Sequence, residues 1–415
     1  MMTISDLLKK LVEEIVSRVP LRVLSTWKNW NTLSKSQSFA KMHTGEQGEL
    51  RMAVLMDYNL SLASVFINGD QPSIKPQGKV SCLDEQVKIS QVFHCEGLLL
   101  CVLEEDDTKV VVCNPYLGQT RCIESRYSHR PNRWDRFTYA LGYEDKKSCR
   151  KLKFLRFIDK YYNAKEDQFF WYEIYDFDSG LWKTLELNPH WRILFGTCGV
   201  SLKGNTYLPA SKRSASKSYS EDELEDLDDH IICFDFTSES FGPLLRLPFD
   251  AGVDDYVNLS CVGEEKLAVT LTHNEVNPYE IDVWIATKIE AEEVLWSKFL
   301  KVDTAPNFYM IPCTGFFIDE EKKVVMGFAE DRHKTFNILG EDGYFRKLDF
   351  GERAYRNCRP QACSYVPSLM QVKQPLASGG QSKQQSDLEK RRYDQNMSRL
   401  LALEEKRAEE EERRN

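Results

Sequence analysis

A mainly β architecture behind a small helical N-terminus is the fold class this chain predicts, and three observations carry it. Apolar residues ahead of Pro20 recur at helical spacing. From about residue 48 to 350 the pattern changes to short runs rich in Val, Ile, Phe, Tyr and Trp, separated by Gly, Asn, Asp and Ser. Within that region a strand, a turn of small or acidic residues and a second strand carrying an aromatic recur about every 50–60 residues.

The first element is a helix over 6–19. Leu7, Leu11 and Ile15 form one apolar stripe and Leu8, Val12, Val16 and Val19 the adjoining one, while Lys9, Lys10, Glu13, Ser17 and Arg18 occupy the other side. Ser5 is placed to cap it, Glu14 and Arg18 are one turn apart, and Pro20 ends it. A second short helix through Val23, Leu24, Trp27 and Trp30 follows, and 31–35 lead into a last turn near Phe39 and Met42. So small a unit with wide apolar faces must dock on the following domain, on a partner, or on both.

Strands are expected over 50–56, 60–67, 88–94, 98–103, 109–113, 136–143, 152–158, 168–177, 181–186, 196–202, 205–209, 230–236, 265–272, 280–286, 295–302, 313–318, 322–328 and 343–349. The repeat runs through Val112-Cys113-Asn114 then Thr120-Arg121-Cys122, Tyr175-Asp176-Phe177 then Leu181-Trp182, and Phe234-Asp235-Phe236 then Phe241-Gly242-Pro243. It continues in Val283-Trp284-Ile285 then Leu295-Trp296, and in Asn337-Ile338-Leu339 then Tyr344-Phe345. Radial repetition of four-stranded sheets protects strand edges, so this period favours a β-propeller over a sandwich.

Two segments stand apart. Residues 211–220 are serine- and lysine-rich and 221–229 strongly acidic, which reads as a solvated loop between strands. Beyond Pro367 the chain turns polar and then highly charged. Leu388, Tyr393, Met397, Leu400 and Leu401 share one helical face that the four glutamates at 409–412 interrupt, so a disordered or marginally helical tail is expected.

Composition excludes several classes. The 415 residues are 42% hydrophobic and 12% aromatic, ample for a large core, and the net charge of -9 opposes an electrostatic hold on nucleic acid or an anionic membrane. No uncharged apolar run approaches the roughly 18 residues of a membrane span, and the charges within 6–14 rule out a signal-peptide core. The twelve cysteines show no CxxC spacing and read as reduced core residues, which places the chain inside the cell in a reducing compartment, nucleus or cytoplasm.

No chemistry-bearing motif competes with a binding role. GVSLKG at 199–204 misses the hydrolase elbow by one residue, and none of the seven histidines falls at HxxxH spacing. The neighbouring carboxylates at 106–107, 254–255 and 319–320 read as solvated turns, because acid–base work needs carboxyls opposed across a cleft. Neither metal nor cofactor is expected.

LLKKLVEEIVSRVPL at 7–21 with WKNWNTLSKSQSF at 27–39 resembles the F-box of plant F-box proteins. VVVCNPYLGQTR at 110–121, FTYALGYEDKKSCRKLKFLRF at 137–157 and WYEIYDFDSGLWKTL at 171–185 are similar to the type 1 F-box-associated domain. So are GVSLKGNTYLPA at 199–210, CFDFTSESFGPLLRLPF at 233–249 and GFFIDEEKKVVMGF at 315–328. The resemblance implies a degenerate F-box at 1–43, a kelch-like, β-propeller-like F-box-associated domain at 48–365 and a polar, charged tail at 366–415. It also implies a non-catalytic substrate-recognition subunit of an SCF-type cullin-RING ubiquitin ligase, with a Skp-type adaptor, the cullin core and an unknown target protein as partners.

Carried over by position, the adaptor-facing residues are Leu7, Leu11, Val12, Ile15, Val16, Pro20, Leu21 and Trp30. Position 8 is leucine where the family usually has proline, position 10 is lysine where an acid is usual, and about four residues are missing between Leu21 and Trp30, roughly 6 Å of helix. The alternative is therefore a stand-alone propeller scaffold whose F-box no longer engages the ligase. A propeller enzyme, the third reading, requires convergent polar groups in a central pocket.

Overall fold

The structure, a computed structural model, describes residues 49–414 except 68–70, 85, 106–107, 125–136, 147–148, 161–168, 194–197, 214–229, 252–254, 264, 274–279, 304–314, 329–332, 353–359, 369 and 373–385. Residues 1–48, with the helices expected there, lie outside it. The described chain divides into two compact units, one holding Asn357–Val372 with the chain up to Arg126, the other Tyr127–Arg356 with the chain from Lys373.

In the first unit, β1 (Glu49–Met56), β2 (Asn59–Phe66) and β3 (Ser73–Lys79) form sheet I, and β4 (Ile89–Cys95), β5 (Leu98–Leu103), β6 (Lys109–Asn114) and β7 (Gln119–Glu124) form sheet II. Two-residue turns with positive φ join the tight hairpins, as right-handed strand twist requires: Asp57 and Tyr58 between β1 and β2, Glu96 and Gly97 between β4 and β5. Sheet I is completed from the other end of the chain, where β25 (Gln361–Ser364) pairs antiparallel with Met52 to Leu55 of β1.

After β25 the chain crosses the end of sheet II. Asn114, fully buried, donates from Nδ2 to the carbonyls of Ser368 and Met370, both at 2.8 Å, while its Oδ1 accepts from the Tyr116 and Leu117 amides at 3.0 Å. The Val372 amide donates to Gln119 Oε1 at 3.0 Å. A Cβ on Gly97 would strike the Val366 carbonyl and Ser368, so glycine at this turn is needed for clearance as well as for its φ of 78°.

Ala53, Leu55, Leu60, Leu99, Cys101, Cys113 and Tyr365 make the core between sheets I and II. His94, beside this core, accepts the Gly97 amide at Nε2 at 2.9 Å, and burial pushes its imidazole down from 6.5 to about 4. A histidine that protonates only at lower pH when folded contributes stability above 6.5 that is lost as pH falls toward 4, because the unfolded chain takes up the proton first. The urea midpoint is expected to fall across that window, and His94→Gln to remove about one proton of that slope. A slope unchanged in H94Q would show that His94 is not held neutral.

The second unit carries four sheets in chain order. Sheet III is β8 (Thr138–Lys146), β9 (Cys149–Lys160), β10 (Phe169–Asp176) and β11 (Leu181–Leu185). Sheet IV is β12 (Trp191–Arg192), β13 (Val200–Leu202), β14 (Asn205–Lys212), β15 (His230–Asp235) and β16 (Ser240–Arg246), with both β12 and β13 on β14. Sheet V is β17 (Tyr256–Val262), β18 (Lys266–His273), β19 (Glu280–Ile289) and β20 (Val294–Asp303). Sheet VI is β21 (Phe316–Asp319), β22 (Val324–Phe328), β23 (His333–Gly340) and β24 (Phe345–Glu352). Successive sheets pack face to face: Leu155, Tyr172, Leu208 and Phe234 between III and IV, Ile231, Leu267, Val269 and Ala286 between IV and V, Val283, Phe316, Val325 and Leu339 between V and VI.

Every strand expected from the sequence has a counterpart, and the repeat is the hairpin of third and fourth strands: β6–β7, β10–β11, β15–β16, β19–β20 and β23–β24. The tail takes the helical of the two forms expected for it. Residues 387–414 form a single helix, α1 (Asp387–Arg414), in which Tyr393, packed on Trp171 of sheet III, and Leu400 are buried, while Leu388, expected on the same face, is 58% exposed. Cys122 is exposed and not a core residue, while Cys95, Cys101 and Cys113 are buried, and all four are free thiols.

Candidate protein-interaction site

The residues expected to face an adaptor, Leu7, Leu11, Val12, Ile15, Val16, Pro20, Leu21 and Trp30, all lie outside the described residues, as does Trp27. What the structure does place are charged groups buried within sheet III, which periodicity alone does not single out.

Strand β9 carries Lys153, Arg156 and Asp159 among apolar neighbours. Alternation sends Arg156 to one face, with Tyr139 and Glu173 as its partners in register, and Lys153 and Asp159 to the face that packs on sheet IV. The close approach of sheets III and IV is set at Gly142, where a Cβ would strike the Gly204 carbonyl and the Phe236 ring.

At one end of that interface Lys153 Nζ reaches Glu239 at 2.7 Å and Glu144 at 3.1 Å, and Lys183 meets the other Glu239 oxygen at 2.6 Å. Burial alone would lower the lysine; the two carboxylates outweigh it and hold Lys153 above its ordinary value. Burial would likewise raise Glu239, and its two lysines hold it below the usual range. At the other end Asp159 accepts from Tyr172 Oη at 3.0 Å, from the Ile193 amide at 3.0 Å and from Arg213 Nη2 at 2.7 Å. Arg213 Nε in turn donates to the Trp191 carbonyl at 3.0 Å, and its amide to the His190 carbonyl at 2.9 Å.

Asp159 and Arg213 therefore fix the point from which the chain leaves β14 for 214–229 and returns at β15. Antiparallel alternation puts the second-to-third strand connections of sheets III to V at one end: 161–168, 213–229 and 274–279 all depart there, opposite the short turns at 177–180 and 236–239.

Arg156 makes a fully buried ion pair with Glu173. Its Nε donates to Glu173 Oε1 at 2.6 Å and its Nη2 contacts the same oxygen, the two side chains being 1% and 2% exposed. The guanidinium lies over the Phe137 ring at 4.3 Å and the Trp182 ring at 4.6 Å. Burial would lower its affinity for the proton, and the Glu173 carboxylate outweighs that. Trp171 packs edge-on against Tyr393 of α1 at 5.0 Å, and the Thr184 amide on the outer strand β11 donates to Glu389 at 2.9 Å.

Ser201 of the near-elbow sits in the β13–β14 hairpin, not on a strand-to-helix turn, and among the described residues no group of three or more His, Cys, Asp or Glu is placed to hold a metal ion. No described helix is long and apolar enough to cross a membrane.

Consecutive antiparallel sheets with a strand returned from the far end of the chain define the β-propeller class. Residues 51–372 match the model of the F-box associated beta propeller domain. An F-box protein of Arabidopsis thaliana is 53% identical, the alignment covering 96% of this chain and 97% of that protein, and an F-box/kelch-repeat protein of the same plant is 54% identical over 95% of each. The chain belongs to the F-box proteins that carry this associated propeller domain. Among solved structures, a periplasmic gluconolactonase of Pseudomonas aeruginosa aligns with 77% of this chain and 100% of its own at 11% identity and a TM-score of 0.38, too distant to bear on function.

Proposed function

We propose that this chain is the substrate-recognition subunit of an SCF-type cullin-RING ubiquitin ligase. Residues 1–43 dock on a Skp-type adaptor through Leu7, Leu11, Val12, Ile15, Val16, Pro20, Leu21 and Trp30, and the β-domain holds the target protein. The observation that carries this reading is one chain joining an F-box-like sequence at 7–39 to a family-defining propeller domain at 51–372. The subunit makes and breaks no bond itself; it raises the effective concentration of target lysines near a conjugating enzyme carried elsewhere in the complex.

Co-purification of the full chain with a Skp-type adaptor tests it. Leu11→Asp with Ile15→Asp places two charges in the expected apolar interface and should lower adaptor capture by about a thousandfold or more, each buried unpaired charge costing a few kcal/mol, while the β-sheet circular dichroism is unchanged. A folded wild-type chain that captures no adaptor overturns the reading. The second reading, a scaffold detached from the ligase, is favoured by one observation: the missing residues between Leu21 and Trp30. That outcome would select it.

A further inference from the structure

Helix α1 sits on the face of sheet III that carries Trp171, Glu173 and Arg156, and three features of its seat are unusual for a purely structural cap. Ser386 caps the helix, accepting the Glu389 amide at 3.2 Å, which makes Glu389 the residue whose carboxylate would ordinarily turn back to the cap. That carboxylate is instead directed outward, to the Thr184 amide at 2.9 Å and to Arg392, whose guanidinium also meets Glu186 on the strand end. Beneath Tyr393, Trp171 Nε1 and Arg156 Nη1 are buried donors with no hydrogen-bond partner among the described residues. Buried donors without acceptors are costly, so the docked helix leaves the seat short of what it is able to bind.

We propose that residues 386–400 are a displaceable internal occupant of a peptide-docking surface on sheet III, and that the segment replacing them is a helix of a target protein bearing a carboxylate and, one turn further, an aromatic ring. Thr184 N–H at the edge takes the carboxylate, Trp171 takes the ring, and the two orphaned donors take an acceptor that α1 does not supply. Seventeen positions separate Val372 from Glu389 in sequence, so the covalent tether keeps α1 at high local concentration and sets a threshold that a target must exceed. This deepens the receptor reading by naming a surface and a partner chemistry, and rests on that reading only in calling the partner a target.

The probe is a labelled peptide with the sequence of 386–403, added to the full wild-type chain and to full chains carrying Tyr393→Ala or, leaving the aromatic contact in place, Glu389→Ala. If α1 occupies the seat, the peptide binds the wild type more weakly than Y393A by the closed-to-open ratio of the helix. Hydrogen exchange in the wild type measures that ratio independently, since α1 amides should exchange about a hundredfold or more faster than those of β10. The proposal expects the two ratios to agree within about tenfold and a peptide lacking the Glu389 carboxylate to bind more weakly. It is overturned if α1 and β10 exchange together through global unfolding, or if the peptide binds neither folded variant. Adaptor capture by the same preparations reads the ligase assignment separately, because residues 1–48 are untouched.

Discussion

Glu173→Ala is expected to destabilise the second unit by about 3–5 kcal/mol, the loss typical of a buried ion pair stripped of one partner. Arg156 is nearly inaccessible, its guanidinium sandwiched between Phe137 and Trp182, and Glu173 is the carboxylate that faces it. Without that carboxylate the charge has no route to water, and an arginine does not shed its proton to escape. The lost free energy should appear as a lowered urea midpoint and as loss of α1 docking, because Tyr393 lies over the same face. Glu173→Gln keeps an acceptor without the charge and should fall between. The decisive control replaces both groups: Arg156→Met with Glu173→Leu restores an apolar interior of similar volume and should recover most of the stability. A Glu173→Ala chain as stable as the wild type would mean that Arg156 reaches solvent after all.

That pair also marks where reading the sequence stopped. In KFLRFID an arginine stands between Leu155 and Phe157 in a run that is otherwise apolar, and this break was the available signal; period-two alternation says only that Arg156 faces away from Phe157, not that both faces are covered. Asp159 and Lys153 read as ordinary polar strand positions for the same reason, since Arg213 and Glu239 lie 54 and 86 residues further along the chain and the Tyr172 hydroxyl comes from the neighbouring strand β10. Strands with two packed faces were legible from their Val, Ile and aromatic runs. Those left out of the expected set include β3, which carries Pro76 and Gly78, is largely exposed and lies at the sheet edge, where a proline without an N–H is tolerated. Another is β25, four residues whose strand character comes wholly from β1. The tail's helix was legible as a periodic face, but its docking was not, because Trp171 and Thr184 lie far away in the chain.

Asn114→Asp should open the seam that β25 closes, although it changes one atom of the side chain. The third strands of sheets II, III and IV end in an Asx residue followed by a four-residue turn, and in each the side-chain oxygen accepts turn amides: Tyr116 and Leu117 at Asn114, Ser179 at Asp176 at 2.7 Å, Thr237 at Asp235 at 2.7 Å. An aspartate performs that task equally well, so the turn does not explain the amide at 114. The explanation is on its other side, where Nδ2 donates to the Ser368 and Met370 carbonyls. A carboxylate there donates nothing and sets its charge against two carbonyl oxygens in a fully buried position. Two carbonyls losing their donor and one charge losing its solvent amount to about 2–5 kcal/mol. The effect should be local first: the amides of Tyr365 and Val372, bonded to the Arg51 carbonyl and to Gln119, lose protection against hydrogen exchange before β9 and β10 do. Asp176→Asn, which keeps the acceptor and adds only a donor, should leave stability nearly unchanged. Equal effects of the two substitutions, or an Asn114→Asp chain whose 366–372 segment stays protected, would show that the return strand is held by its pairing with β1 alone.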